Sequence, residues 1–207
     1  NNGTLGTDSQ AIGINARADT DFTTATGFRA ARDNTGSSTT ATGLRAARDN
    51  TGFSTTATGV SAAQNNTGSD TTATGFRAAQ NNTGNNTTAT GRNAAQNNTG
   101  NRTTATGVRA AQNNTGNSTT ATGFRAARGD GLADPTTMGD DNIGIGVSAI
   151  RNNQASGLIA IGQEAGINAQ TDDQLIITDR NGNRRMVMDL TNGDLKIDGS
   201  LTQNATL

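Results

Sequence analysis

Residues 71–86 read TTATGFRAAQNNTGNN, and residues 87–102 read TTATGRNAAQNNTGNR. The same sixteen-residue sentence is written seven times across 23–134, without gap or insertion. An ordinary repeat protein places Leu or Ile at its recurring apolar positions, whereas this one places Thr, Ala and Gly. Only 30% of the 207 residues are hydrophobic and 2% aromatic, with no Trp and no Tyr. At about 25 cal/mol per Å² of apolar surface, an Ala-lined core does not offset the entropy of ordering a lone chain. Low hydrophobicity with much Asn, Thr, Gly and Ser points toward disorder. Against that stand a net charge of −1, a single Pro, and strict repetition of a β-branched, Gly-punctuated unit. That repetition is the signature of stacked coils.

Within one unit, TTATG alternates and is β-branched, which predicts a strand. NTG and the two residues after it predict a turn, with Gly supplying positive φ. RAA predicts a second short extended stretch, making one narrow coil of a β-roll from two strands and two turns. A helix over FRAAQNN is the alternative, but it is about two turns long and flanked by Gly. Coils stacked at about 4.8 Å give the seven-unit array a length of about 34 Å.

The pattern reaches beyond the array. An N-terminal coil occupies 1–22, with Gly13 fourteen residues before Gly27. Gly123 and Gly146 are twenty-three residues apart, so an insertion (135–141, beginning at Pro135) lengthens one period. Residues 142–170 return to the coil grammar as NIGIGVSAIRNNQASG and LIAIGQEAGINAQ, with Gly146 and Gly162 sixteen apart. From 171 to 207, short Ile, Val, Met and Leu runs broken by NGN and NGD predict a β-meander connector with Asn-Gly turns. The opening NNGTLGTDSQ and the abrupt end LTQNATL read as those of a piece of something longer.

Comparing columns is more informative than reading along the chain. Two Thr columns flank the strand alanine: Thr24 and Thr26, Thr40 and Thr42, Thr56 and Thr58, Thr72 and Thr74, Thr88 and Thr90, Thr104 and Thr106, Thr120 and Thr122. Downstream the same columns hold Ile143 and Ile145, then Ile159 and Ile161, and upstream Ile12. Threonine has nearly the shape of valine, so Ile at both ends predicts a sheltered face. Ala25 and Gly27 then point to the other side, the inside of a thin coil. A strand covered on both faces needs a partner beyond its own chain. Self-association follows, most simply as a homotrimer with the Thr and Ile columns turned toward the axis.

QAIGINARA, NIGIGVSAI and LIAIGQEAG resemble the YadA-like head repeats of trimeric autotransporter adhesins. The sixteen-residue form with NNTG looks like the version common in bacteriophage tail fibres. DRNGNRRMVMDLTNGDLKIDGSLT is similar to the β-rich segment that often precedes a terminal chaperone domain in such fibres. The resemblance covers about 10–170 and, more loosely, 171–202. It implies an all-β fold, an obligate trimeric, left-handed parallel β-roll used to reach or hold a surface. The chain departs from the family in carrying Thr where the pattern has Ile or Val.

With no His and no Cys, most nucleophile, acid–base and metal constellations are absent, and no cofactor or metal site is expected. Asp140 with Asp141 and Asp172 with Asp173 are neighbours along the chain and read as solvated loop acids. DLTNGDLKIDG lacks the spaced acids of a calcium loop and reads as a hairpin. The sequons at Asn65 and Asn81 read as part of an Asn ladder stacked at a turn. The near-zero charge gives no reason to expect nucleic acid, and no apolar run is long enough to insert in a membrane.

Candidate surface contacts are the Arg29, Arg45, Arg77, Arg109 and Arg125 column, interrupted by Ser61 and Asn93. To these are added Arg92, which stands in a column otherwise held by Phe28, Leu44, Val60, Phe76, Val108 and Phe124, and the corner residues Phe53 and Arg102. A second Arg column (Arg32, Arg48, Arg128) carries Gln at the four intervening coils; both columns have the makings of a groove for an acidic polysaccharide, but beside Asp33 and Asp49 they read first as solvated faces. The expected function is a structural and receptor-binding segment of a trimeric phage tail fibre, located in the virion and attached to a host-surface glycan or protein. The head of a bacterial surface adhesin is the alternative. A further one is an ice-binding protein, because Thr-X-Thr sets hydroxyls about 6.7 Å apart along a strand and about 4.8 Å apart between coils. Catalysis, such as glycan cleavage, is not expected, because no acid pair is placed for it.

Overall fold

The computed structural model of the chain describes residues 5–129 and 138–197. Among them there is no helix, and thirteen short strands lie in one sheet in chain order. These are β1 (Gln10–Ile12), β2 (Thr24–Thr26), β3 (Thr40–Thr42), β4 (Thr55–Thr58), β5 (Thr71–Thr74), β6 (Thr87–Thr90) and β7 (Thr103–Thr106). They continue as β8 (Thr120–Thr122), β9 (Ile143–Ile145), β10 (Ile159–Ile161), β11 (Gln174–Thr178), β12 (Arg184–Asp189) and β13 (Leu195–Ile197). The first eleven pair in parallel and form a β-solenoid of about ten turns.

Strand register follows the glycine spacing. Ala11 pairs with Ala25 at a step of fourteen, Ala25 with Ala41 at sixteen, and Ala121 with Gly144 at twenty-three. Residues 130–137 of the longer step, Pro135 among them, lie outside the described residues. The parallel stack runs one coil beyond the point where the repeat grammar fades, since Ile159 pairs with Leu175. Only then do β12 and β13 add antiparallel, closing the meander.

Each coil has one strand, not the two expected. RAA is not extended. Through this stretch every second residue takes positive φ, as in Arg77 (54°), Ala79 (48°) and Asn81 (56°). Its backbone still bonds from coil to coil. The Arg77 N–H donates to the Val60 carbonyl, Ala79 to Ala94 in the next coil, and Asn81 to Gln64 in the previous one, each at 2.9 Å. A left-handed residue without Gly costs about 1–2 kcal/mol. Three backbone bonds per coil, plus a buried Cβ at Ala79, offset that cost.

The interior is also differently furnished than expected. Ala25 points inward, but its inward partner along the strand is Thr23; Gly27 sits half-exposed at a corner with φ 129°. One interior layer comprises Thr71, Ala73, Ala78, Ala79 and Asn82, all fully buried. The polar members are satisfied. Asn82 Nδ2 donates to Asn66 Oδ1 at 2.8 Å and to the Gly84 carbonyl at 2.8 Å. The Thr71 hydroxyl donates to the Gly68 carbonyl at 3.1 Å. This ladder runs from Asn34 through Asn50, Asn66, Asn82 and Asn98 to Asn114. Glycine is required where the ladder turns, because a Cβ on Gly68 would fall on the Gly84 carbonyl oxygen.

Candidate functional site

Strand alternation decides what the outer face presents. With Ala73 buried, Thr72 and Thr74 stand outward and exposed, and the same alternation turns both Thr columns outward in every coil of the array. Thr26 and Thr120 are half-buried; the other twelve Thr of the two columns are exposed. None of their hydroxyls makes a hydrogen bond among the described residues, whereas the inward Thr hydroxyls of the array do. Ile143, Ile145 and Ile161 continue the columns exposed, and Ile159 half-buried. On a single chain these columns are therefore a surface.

That surface extends further than the coil grammar indicates. By register, Ile159 and Ile161 lead to Leu175 and Ile177, these to Met188 and Met186, and these to Leu195 and Ile197. Ile176 between them is fully buried and Val187 packs on the core, which turns the other residues outward. The six further residues were legible as period-two alternation in QLIITD, RRMVMD and LKI. The two outward columns thus cross all thirteen strands without a charged side chain.

A third column borders this face just past the corner glycine. Phe28, Leu44, Val60, Phe76, Val108 and Phe124 are each 39–42% exposed, and Arg92 is exposed in the same column. Next to them stand Arg29, Arg45, Arg77, Arg109 and Arg125, all with φ of 54–60°. Three guanidiniums lie over the adjacent ring: Arg29 on Phe28 at 4.9 Å, Arg77 on Phe76 at 4.9 Å, and Arg125 on Phe124 at 4.7 Å. None of the five, nor Arg92, has an ion pair or hydrogen-bond acceptor among the described residues. The neighbouring Arg32 and Arg48 pair with Asp33 and Asp49 at 3.1 and 2.9 Å.

The corner tips follow a rule of their own. From Ser69 onward the first residue of each pair accepts from the backbone of the preceding coil: Asn85 N–H donates to Asn101 Oδ1 at 2.8 Å, and Asn117 N–H to Asp140 Oδ1 at 2.7 Å. Asp172 likewise accepts from the Ser156 N–H at 2.8 Å. Asp140 and Asp172 are thus structural acceptors. Phe53 occupies this position without a side-chain acceptor and is 58% exposed; Arg102 is exposed at the second position with φ 53°.

In the terminal meander, two turn carboxylates gather donors. Asp179 accepts from the Asn183 side chain, Arg185 and two backbone amides, and this holds it far below the usual carboxylate range. Asp189 is lowered too, chiefly by the Thr191 hydroxyl. Among the described residues no group of three or more carboxylates is placed to hold a metal ion, and no helix is long and apolar enough to cross a membrane.

What these features define is a parallel β-solenoid with one uncharged, unpaired face and one basic edge. The chain matches no family model and no curated protein.

Proposed function

We propose that the chain is a structural and receptor-binding segment of a homotrimeric fibre of the kind carried by bacteriophage tails, attaching to a host-surface glycan or protein. The supporting observation is the uncharged outward face. With its flanking Phe, Leu and Val column, it is about 60 Å long and about 15 Å wide. That is about 900 Å², against about 800 Å² per partner in a stable protein interface. The two outward columns carry none of the chain's 33 charged residues, and Arg92 is the single charge in the flanking column. At its C-terminal end the strip becomes Ile, Leu and Met, side chains that water disfavours. Sister copies around an axis cover such a face with like residues layer by layer.

In this reading the virion is the location, and the basic edge and corner tips face the host. A bacterial surface adhesin head has the same architecture in another setting. Solution mass tests the assembly: light scattering should report three times the 20.9 kDa chain mass. A folded single subunit at working concentration overturns it.

One observation favours a second reading. The outward Thr hydroxyls are uncommitted, in register and regularly spaced, as an ice-binding surface requires. Thermal hysteresis by the purified protein would support that reading over the fibre.

A further inference from the structure

We propose that the edge formed by Arg29, Arg45, Arg77, Arg92, Arg109 and Arg125 binds an extended anionic polysaccharide, lying along the stack one coil per step. The inference rests on the attachment reading above for the purpose of the edge, and goes beyond it in naming the ligand chemistry.

The first argument is electrostatic. Net charge is −1, yet six of seven consecutive coils put a guanidinium on one corner. In the fifth coil Asn93 replaces the usual Arg, and Arg92 beside it supplies the charge. The row spans six coil steps, about 29 Å. None of these side chains is neutralised by the described chain, although Asp33 and Asp49 lie close enough to neutralise Arg32 and Arg48. With Arg32 and Arg48 paired and the other column isolated, a positive row remains, broken only at Ser61.

The second argument is preorganisation. Positive φ fixes the backbone of five of the six, and aromatic rings hold three of the guanidiniums from one side. The Nε atoms of Arg29, Arg45 and Arg125 are buried and without a partner. These side chains are only half-buried, so the rest of each guanidinium can still meet an acceptor from outside the chain. Guanidinium forks take carboxylate or sulfate oxygens two at a time.

The third argument concerns which anion. An isolated inorganic ion would use one or two of the six positions. Duplex DNA carries a charge every ~1.7 Å and is held by broadly basic surfaces, whereas this row is one guanidinium wide and Asp33 and Asp49 stand four residues along from Arg29 and Arg45. A polysaccharide carries its charge at sugar-sized intervals, comparable to the one-coil interval of the row.

The test titrates the intact protein, by calorimetry, with polygalacturonate oligomers, heparin, neutral dextran and duplex DNA. At least one of the two polyanions should bind, more weakly as salt is added, because the row releases condensed counterions. Dextran should not bind. The triple variant Arg45→Gln, Arg77→Gln, Arg109→Gln should bind about tenfold more weakly or worse. A control removing the same charge elsewhere (Arg180→Gln, Arg184→Gln, Lys196→Gln) should bind as the parent does. The proposal is overturned if the parent protein binds neither polyanion, if duplex DNA binds more tightly than both, or if the two triple variants lose affinity equally. Mass measured on the same samples separates the two readings. A monomer that binds polyanions through the row sinks only the fibre, and a trimer that ignores them sinks only this inference.

Discussion

Gly144 and Ile150 share one space. A Cβ on Gly144 would stand 2.5 Å from Ile150 Cγ1, at a layer where the neighbouring coil has Ala121 and Ala127. The large residue and the missing one compensate across the thin core, with Leu158 and Gly166 doing the same one layer on. Gly144→Ala alone should destabilise by about 1–3 kcal/mol through overpacking. Ile150→Ala alone leaves a cavity and costs about 2–5 kcal/mol, less what is regained by taking a β-branched residue out of φ 49°. The double variant restores the Ala–Ala layer of the array and should lie nearer the parent than the sum of the two. Additive losses in denaturant melts would contradict the shared volume.

Breaking the interior amide ladder should be expensive. Asn82→Ala leaves Asn66 Oδ1, Asn98 Nδ2 and the Gly84 carbonyl each short of a partner in a dry interior. At about 1–3 kcal/mol for a buried group left unpaired, the loss should exceed that of any single outward Thr→Ala change. Equilibrium unfolding of Asn82→Ala beside Thr74→Ala measures the difference. Asn82→Asp should be worse still, because a carboxylate cannot donate to Asn66 and brings charge into the core.

Much of this architecture is readable in the residues themselves. Glycines at constant spacing announce the register, and the small Ala between the Thr columns marks the strand face that lines the thin coil. The run after the corner glycine was harder, because Arg77 and Ala79 carry no signal for left-handed φ. Only stacking against identical coils makes that conformation pay its way. NNTG announced an amide ladder, yet not that Asn82 is buried while Asn81 is exposed; that depends on where the strand's alternation is carried around the turn. Beyond Ile161 the columns are harder to follow, because the Gly-punctuated grammar stops before β11 although the coil step of sixteen continues, and because β12 and β13 then pair antiparallel.

Acid should release the terminal meander late. Asp179 and Asp189 are depressed in the folded chain, so their contribution is present above the ordinary carboxylate value of 3.8 and fades only as pH falls through the lowered values. The hairpin amides of Gly182 and Asn183 should therefore stay protected from exchange at pH 4 and lose protection under stronger acid. Asn183→Ala removes the largest donor to Asp179. That change should move the loss of protection toward higher pH. An unchanged acid profile in this variant would mean that the Asn183 side chain does not hold the carboxylate down.

The two ends of the outward face should differ in how much they contribute to assembly. Thr72 and Thr74 present a methyl and a hydroxyl each, and water solvates the hydroxyl well when the face is open. Ile159, Ile161, Leu175 and Ile177 present only hydrocarbon, worth about 25 cal/mol for every Å² covered. If sister chains cover the face, the C-terminal strands supply most of the attraction and the Thr array supplies length. Ile159→Asn with Ile161→Asn should then shift the assembly toward smaller mass at concentrations where Thr72→Asn with Thr74→Asn leaves it intact. Thr74→Val should leave the assembly as firm or firmer if the covered face is dry, and weaken it if the hydroxyl layer binds ordered water. Sedimentation across a dilution series reads all three, and equal dissociation by the two Asn pairs would refute the uneven division of the interface.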